Sequence, residues 1–342
     1  MLFYLQIFII TLLLSAGLTF LVMKLAAKLG ITDKPDGDRK IHSRNVPLLG
    51  GLAIFAAFFI ILYFVHDKLL IGNLLPRHWL GFFAGGVWLM LGGWFDDKYN
   101  LKPIQQIVWP LLAIASIIVG GVEIEKITNP FGDFIYLGAA SSALIALWLL
   151  GMMYTTKLLD GLDGLVSGMT AIGAMVIFLF TESHKYYQPD VGLAALVLAA
   201  ASLGFLFFNW HPAKIFLGEG GSLFLGYALG VLAIISGGKI AIALLVMGLP
   251  ILDVAWTILR RLAAGKNPFK FADRKHLHFR LVNMGLSVKK SVLFFYAISI
   301  IFGLAALFLQ SRGKILALAA LLVIMILVLV FFSYLDRKNK IA

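Results

Sequence analysis

The chain has 342 residues, of which 61% are hydrophobic and only 13% are charged, and its mean hydropathy is +0.95. A water-soluble domain cannot bury that much apolar surface, so the composition excludes one and indicates a polytopic membrane protein. The net charge is +12, and the absence of cysteine excludes disulfides and thiol chemistry.

The apolar segments are long enough to cross about 30 Å of hydrocarbon as helices, which takes roughly 20 residues each. Segments of this length are typical of helices rather than of barrel strands. We therefore predict an all-α, polytopic integral membrane protein with about eleven transmembrane helices, forming one domain over residues 1–342. The predicted spans are 3–23, 48–65, 79–95, 104–121, 138–156, 163–180, 190–208, 221–236, 239–257, 291–309 and 315–334.

The loops on the two sides of these spans differ in Lys and Arg content. One set carries 22 such residues and the opposite set carries 7. Because cytoplasmic loops are enriched in Lys and Arg, this predicts a plasma-membrane protein with its N-terminus outside and its C-terminus in the cytoplasm. Residues 1–10 contain no Lys or Arg, so we interpret the first segment as a retained span rather than a signal sequence.

The first predicted cytoplasmic loop is rich in cations. Arg39 and His42 lie before a Pro/Gly turn at the second span, where they are suited to contact a lipid phosphate. The alternative is that such cations only fix the topology and attract anionic lipid. The basic loops lack the interleaved aromatic residues of a single-stranded nucleic-acid site, so no nucleic-acid partner is predicted.

Two adjacent carboxylates, Asp96 and Asp97, end the third predicted span. Ionised groups are costly at this depth and occur mainly in water-filled cavities or catalytic sites. The pair suits either a divalent metal ion or a proton acceptor. The alternative is a solvated helix end.

Asp160 and Asp163 lie at the junction of the fifth and sixth spans, and each precedes a glycine. If Asp163 opens the next helix, both carboxylates face the same side and Asp163 also caps free N–H groups. Capping explains one acid but not two in so apolar a setting. We therefore favour a functional role for both.

A glycine-rich turn over residues 218–221 precedes the eighth span. Its glycines allow a tight turn that presents N–H groups to an oxyanion, and Glu219 supplies a ligand for a phosphate-bound metal ion. Gly218 and Ser222 are the predicted substrate contacts. The alternative for Ser222 is that it is only a helix N-cap.

Two histidines, His276 and His278, lie in the large polar loop over about residues 258–290, flanked by Arg274 and Arg280. A zinc site is disfavoured because no cysteine or third histidine is near and the neighbouring cations repel a dication. We predict phosphate contacts, with the arginines suited to bidentate binding. The alternative is a basic loop that rests on lipid headgroups.

In order and spacing, these motifs resemble the polyprenyl-phosphate N-acetylhexosamine-1-phosphate transferase family along almost the whole chain. The sequence His-Leu-His-Phe-Arg-Leu from His276 is similar to the branch that uses UDP-N-acetylglucosamine or related sugars. The matching segments are 39–51, 96–97, 129–132, 159–165, 216–226 and 273–278.

The resemblance implies Mg²⁺-dependent transfer, with Mn²⁺ as a substitute, of a sugar 1-phosphate from a UDP-sugar to undecaprenyl phosphate at the cytoplasmic face. The products are UMP and a lipid-linked pyrophosphoryl sugar, the first membrane step of cell-surface glycan synthesis. A homodimer is left open. The implied catalytic residues are Asp96, Asp97, Asp160 and Asp163, and Asp96 would accept a proton from the lipid phosphate or orient it. The implied metal positions are Glu219, Asp97 and Lys157. The implied substrate-binding residues are Arg39, His42, Gly218, Ser222, Arg274, His276, His278 and Arg280.

Three positions depart from the family pattern: Lys157 stands where that pattern has Asn, Glu219 where it has Asp, and Gln106 where it has Lys. In one interpretation, Lys157 turns outward to bind pyrophosphate while the carboxylates keep the metal. In the other, Lys157 and Glu219 form an ion pair in place of the metal, which gives a metal-poor or inactive relative that acts as a scaffold. We favour an active enzyme.

A secondary transporter is the alternative from another class of protein. It predicts inverted repeats, interrupted helices and charges at mid-membrane. The sequence indicates neither repeats nor interrupted helices, and its acids lie at the ends of spans.

Overall fold

The computed structural model describes residues 1–33, 45–72, 74–127, 129, 132–183, 186–237, 240–265 and 276–341, with side chains to residue 332. The helices are α1 (Leu2–Lys28), α2 (Gly50–Phe64), α3 (His66–Leu69), α4 (Pro76–Tyr99), α5 (Pro103–Gln106), α6 (Val108–Val119), α7 (Ala140–Leu159), α8 (Leu165–Thr181), α9 (Pro189–Asn209), α10 (Gly218–Ile235), α11 (Ile240–Val246), α12 (Gly248–Ala263), α13 (Leu277–Asn283), α14 (Val288–Phe308) and α15 (Ser311–Ile341). The strands are β1 (Thr32–Asp33), β2 (Val46–Pro47), β3 (Lys126–Ile127) and β4 (Ile135–Tyr136), paired β1 with β2 and β3 with β4.

Within the described residues, six helices are long and apolar enough to cross a membrane. They confirm the predicted class, an all-α multi-pass membrane protein. Each other predicted span also contains a helix, but these helices are shorter, more polar or bent, so the count of eleven stays a prediction. The six helices are α1, α7, α9, α10, α14 and the Ser311–Phe332 part of α15.

The ninth predicted span, 239–257, is wrong as a single helix, because α11 and α12 meet at an angle of 80°. Pro250 in the first turn of α12 supplies the reason, since a proline ring clashes with the carbonyl group four residues before it and has no N–H to donate. Gly248 at the break weakens the helix further. The expectation that the chain has no interrupted helix is therefore also wrong.

Helix α10 lies at the centre of the bundle, in contact with α2, α4, α7, α8, α9 and α11. Its residues from Gly220 to Ile234 are buried. At Gly93, α4 approaches so closely that an added Cβ would lie 2.1 Å from the backbone nitrogen of Gly220. This contact brings the end of α4 to the start of α10.

The segment before α10 is also tied to the segment before α2. The N–H of Phe216 donates to the carbonyl of Pro47, and the N–H of Gly50 donates to the carbonyl of Phe216, both at 2.9 Å. The start of α2, the end of α4 and the start of α10 therefore meet at one end of the bundle.

The described parts of the large polar loop predicted near residues 258–290 are largely helical. Helix α12 continues to Ala263, α13 forms after it, and α14 begins at Val288. The N–H of Leu277, the first residue of α13, donates to Asp253 Oδ1 of α12 at 3.0 Å. This bond fixes α13 against α12.

Candidate active site

Carboxylates from three helix ends lie together at this end of the bundle. Asp97 is in the last turn of α4, Asp160 follows α7, and Glu219 is in the first turn of α10. The backbone N–H of Glu219 donates to Asp97 Oδ1 at 3.1 Å. The negative charges of Glu219, Asp163 and Asp97 contribute to a raised pKa of Asp160, whose side chain is exposed. The cluster is thus close enough for its members to interact.

Gly218 allows α10 to begin directly against Asp97. Its φ is +74°, in the left-handed region that favours glycine, and an added Cβ would lie 2.4 Å from Asp97 Oδ2. The structure therefore gives Gly218 a steric role in placing Asp97, and its predicted substrate contact stays a prediction.

Lys157, in the last turn of α7, is engaged by the cluster. Its Nζ forms an ion pair with Glu219 Oε1 and donates to Gln106 Oε1 at 3.0 Å. The amide Nε2 of Gln106 in turn donates to Asp96 Oδ1 at 2.9 Å. The ion pair that one interpretation of the sequence predicted is therefore present, and it is part of a chain of contacts from Asp96 to Glu219.

Asp96 differs from Asp97 in its surroundings. Its Oδ1 accepts both the Gln106 amide and the N–H of Leu101, each at 2.9 Å. These bonds secure the turn between α4 and α5. Asp96 therefore has a structural role, and its predicted role as a proton acceptor stays a prediction.

Asp163 does not cap the following helix, because α8 begins at Leu165 and its N-cap is Gly164. Instead, Asp163 Oδ2 lies 2.7 Å from His211 Nδ1 and accepts the N–H of Ala213 at 3.0 Å. The capping interpretation is wrong. Asp163 joins the α7–α8 turn to the segment before α10.

Ser222 is not an N-cap either, since α10 already begins at Gly218. The Ser222 hydroxyl is buried and donates to the Glu219 carbonyl at 3.0 Å. It therefore supports the first turn of α10, and contact with substrate stays a prediction.

The two histidines occupy a second, more deeply buried region. His276 Nδ1 lies 2.8 Å from Asp253 Oδ2, and the His276 and His278 rings stack with centroids 5.6 Å apart at 9°. His278 is fully buried and neither of its ring nitrogens has a hydrogen-bond partner among the described residues. Burial and the neighbouring His276 lower the pKa of His278 to about 3, so the ring is neutral at physiological pH.

Gly161 connects the two regions. A Cβ added at Gly161 would lie 2.5 Å from His278 Nε2 and 2.6 Å from the Phe279 ring. The glycine beside Asp160 therefore makes room for His278, and the unpartnered nitrogen faces the turn that carries the carboxylates.

Of the predicted basic contacts, Arg280 lies within the described residues. The Arg280 guanidinium lies 5.3 Å from the centroid of the Phe332 ring of α15. Arg39, His42 and Arg274 lie outside the described residues, so their predicted roles stay predictions.

An apolar groove of about 400 Å³ opens beside the carboxylates, between α2, α4 and α10. Among the described residues that line it, Asp97 is the one ionisable residue, and the others are apolar side chains and glycines. The lining residues are Leu49, Leu52, Phe55, Val87, Met90, Leu91, Gly93, Trp94, Asp97, Leu217, Gly220 and Gly221.

Comparison with known proteins identifies the family of this chain. The family model described as glycosyl transferase family 4 matches residues 79–237, which contain the whole carboxylate cluster. A Bacillus subtilis protein named "Probable undecaprenyl-phosphate N-acetylglucosaminyl 1-phosphate transferase" is 34% identical over 326 residues, covering 93% of this chain and 88% of that protein. The chain belongs to glycosyl transferase family 4.

Two further relatives of this family 4 chain carry related names. The "Decaprenyl-phosphate N-acetylglucosaminephosphotransferase" of Mycolicibacterium smegmatis is 30% identical, covering 92% of this chain and 85% of that protein. The "Undecaprenyl-phosphate alpha-N-acetylglucosaminyl 1-phosphate transferase" of Thermotoga maritima is 29% identical, covering 86% and 87%.

The magnesium site implied by the resemblance does not fit the residues of this family 4 chain as they are arranged. No group of three or more His, Asp or Glu side chains within the described ranges is placed to share a metal ion. Glu219, the predicted ligand, is paired with the Lys157 ammonium, which repels a second cation. The magnesium requirement stays a prediction.

Sequence reasoning missed three residues of this family 4 site: Asp253, His211 and the bonding role of Gln106. Asp253 had a usable signal, since an ionisable residue inside an apolar span is costly unless it has a partner. His211 and Gln106 gave no such signal in the sequence, because their hydrogen-bond partners are distant along the chain.

Proposed function

We propose that the chain transfers N-acetylglucosamine 1-phosphate from its UDP-sugar to undecaprenyl phosphate or a closely related polyprenyl phosphate. The products are UMP and a lipid-linked pyrophosphoryl sugar. The observation that carries the proposal is the meeting of the carboxylate cluster with the apolar groove at Asp97. The names of the relatives support the same donor sugar and the same class of acceptor.

The groove suits a lipid acceptor because the two ends of a polyprenyl phosphate need different surroundings. Its isoprenoid chain requires apolar walls, which Leu52, Phe55 and Leu91 supply, and its phosphate must reach polar groups. In our proposal the isoprenoid chain of the acceptor lies along α2 and α4, and its phosphate lies at Asp97. A water-soluble acceptor would not need such a groove.

The reaction forms one bond and breaks one bond. An oxygen of the acceptor phosphate attacks the β-phosphorus of the donor, and the bond from that phosphorus to the bridging oxygen breaks. The electron pair leaves with UMP. Phosphoryl transfer of this kind depends mainly on alignment and on neutralising charge.

Asp97 is better placed than Asp96 to act on the acceptor. Asp97 lines the groove and its Oδ1 accepts one N–H, from Glu219, whereas Asp96 is not among the described lining residues and its Oδ1 accepts two, from Leu101 and Gln106. We assign to Asp97 the orientation of the acceptor phosphate and the acceptance of its proton when the phosphate is monoanionic.

The remaining topology is part of the proposal. Eleven spans, with the N-terminus outside and the C-terminus in the cytoplasm, put the carboxylate cluster on the cytoplasmic side of the plasma membrane, where UDP-sugars are available. The excess of Lys and Arg in the corresponding loops supports this orientation.

The test is UMP release by the purified full-length chain in detergent. With UDP-N-acetylglucosamine and undecaprenyl phosphate we expect UMP and a lipid-linked product in equal amounts. A panel of UDP-sugars measures donor preference, and omission of the lipid is the control. Absence of UMP with every donor, with and without Mg²⁺, would refute the proposed function.

A further inference from the structure

Lys157 places a positive charge inside the carboxylate cluster. An ammonium group has three N–H donors, and two of them are directed to Glu219 Oε1 and Gln106 Oε1. Among the described residues, one donor therefore remains for a ligand. The Lys157 side chain is 20% exposed, so a ligand can reach it.

The neighbours of Lys157 hold the ammonium in position before a ligand arrives. Glu219 and Gln106 fix Nζ from two directions, and the Tyr154 ring centroid lies 5.6 Å away. Because the side chain is already ordered, a ligand that binds to it incurs little further loss of rotamer entropy. Lysine binds phosphate as a point charge, which suits an anion with several oxygens.

A metal ion at Glu219 would have to compete with this ammonium. The carboxylate would either lose its bond to Lys157 or share it with a second cation at close range, where like charges repel. A covalently attached cation also competes at a high effective concentration set by its tether, whereas a dissolved ion must be drawn from solution. The existing pair is therefore the favoured occupant.

We propose that Lys157 is the resident cation of this site and that its ammonium binds the pyrophosphate of the nucleoside diphosphate sugar directly, in place of a metal ion at Glu219. The inference rests on the proposed function, which supplies the pyrophosphate. Glu219 is then a positioning residue for Lys157. As the bond to UMP breaks, Lys157 stabilises the charge that develops on the leaving phosphate.

The first experiment measures binding of UDP to the full-length chain in detergent with EDTA present. We expect Lys157→Gln to weaken binding about tenfold or more, the effect of losing a charge-assisted hydrogen bond. The matched control is Lys102→Gln, an exposed lysine at the start of α5, which should keep the affinity within about twofold.

The double variant Lys157→Gln/Glu219→Gln distinguishes two roles of Lys157, which are binding of the pyrophosphate and neutralisation of the Glu219 charge. If Lys157 contacts pyrophosphate, removing both charges leaves UDP binding as weak as in Lys157→Gln. If Lys157 serves only to neutralise Glu219, the double variant regains wild-type affinity, and that result would overturn the proposal.

The second experiment measures Mn²⁺ binding without nucleotide, from the electron paramagnetic resonance signal of free Mn²⁺. Lys157→Asn removes the ammonium and adds a neutral oxygen ligand, so it should bind Mn²⁺ about tenfold more tightly than the wild-type chain. Equal affinities of the two proteins would contradict the proposal.

A measurement on the unaltered chain covers the case in which a variant does not fold. UMP release in EDTA should remain within about threefold of the rate in Mg²⁺, whereas loss of a catalytic metal removes several kcal/mol of stabilisation. A fall of more than about tenfold on chelation would overturn the role of Lys157. Absence of UMP under both conditions refutes the transferase function instead, while UDP and Mn²⁺ binding still decide the role of Lys157.

Discussion

Polar side chains have different surroundings in the carboxylate region, formed by Asp97, Asp160 and Glu219, and in the histidine region, formed by His276 and His278. Around Glu219, acids are paired with Lys157, Gln106 or backbone N–H groups, so the region is charged but largely satisfied. His278, by contrast, is fully buried, and within the described part of the chain neither ring nitrogen has a partner. Such a group costs free energy unless a ligand completes it. The contrast is between a region that carries paired charges and a region that buries a neutral imidazole.

The largest expected effect is within the carboxylate region, where Asp97 and Asp96 are adjacent but differently engaged. We expect Asp97→Asn to lower UMP release about 10²-fold or more, as for loss of a general base or orienting carboxylate. Asp96→Asn is the matched control and should lose about tenfold or less, because Asn can still accept the Leu101 N–H. Equal losses would show that exposure to the groove does not distinguish the two acids.

The next effect concerns the junction of the two regions. Gly161→Ala would push a methyl group against His278 Nε2 and the Phe279 ring, and we expect turnover to fall about 10²-fold through misalignment. Gly151→Ala is the control, since a Cβ there meets nothing within 4 Å. Wild-type turnover of Gly161→Ala would mean that the contact between the regions is not needed.

A third prediction uses the titration of His278. Its pKa is about 3 in the folded chain and 6.5 when exposed, so the unfolded chain binds more protons below pH 6.5. Stability is therefore lost as the pH falls from 6.5 toward 3, by about 2 kcal/mol between pH 6.5 and pH 5. Thermal unfolding in detergent should show this loss in the wild-type chain and a smaller one in His278→Gln. An equal dependence of thermal stability on pH in the wild-type chain and in His278→Gln would contradict this prediction.

The smallest effect is expected at Asp253, which contacts His276 and, in the proposed site, influences the substrate only through that side chain. Asp253→Asn keeps the shape but weakens the bond to His276 Nδ1, and we expect kcat to fall about tenfold with little change in KM. A shift in the acid limb of the pH–rate profile would distinguish this positioning role from a general loss of folding. An unchanged profile with reduced protein yield would indicate a purely structural role.

The predicted spans agree with the helices because the signal is local. A run of about 20 apolar residues has few stable alternatives in a bilayer other than a helix. The break between α11 and α12 was missed although Pro250 carries the signal, because hydropathy averaged over a window does not register a single residue that blocks the helix.

The assignments for Asp163 and Ser222 show a different limit. Both residues lie near predicted helix starts, where capping is the ordinary expectation. The helices begin at other residues, and each side chain bonds elsewhere, Asp163 to His211 and Ala213 and Ser222 to the Glu219 carbonyl. An error of a few residues in a helix boundary is enough to change the role of such a side chain.

The sequence by itself determined the membrane class, most helices and the family, because these depend on composition and local order. Only the tertiary structure decided which of the candidate residues meet. Lys157 and Gln106 are 51 positions apart, and Lys157 and Glu219 are 62 apart, yet their side chains bond to one another. Contacts at such separation arise from the packing of α4, α7 and α10 around small residues, which no local pattern records.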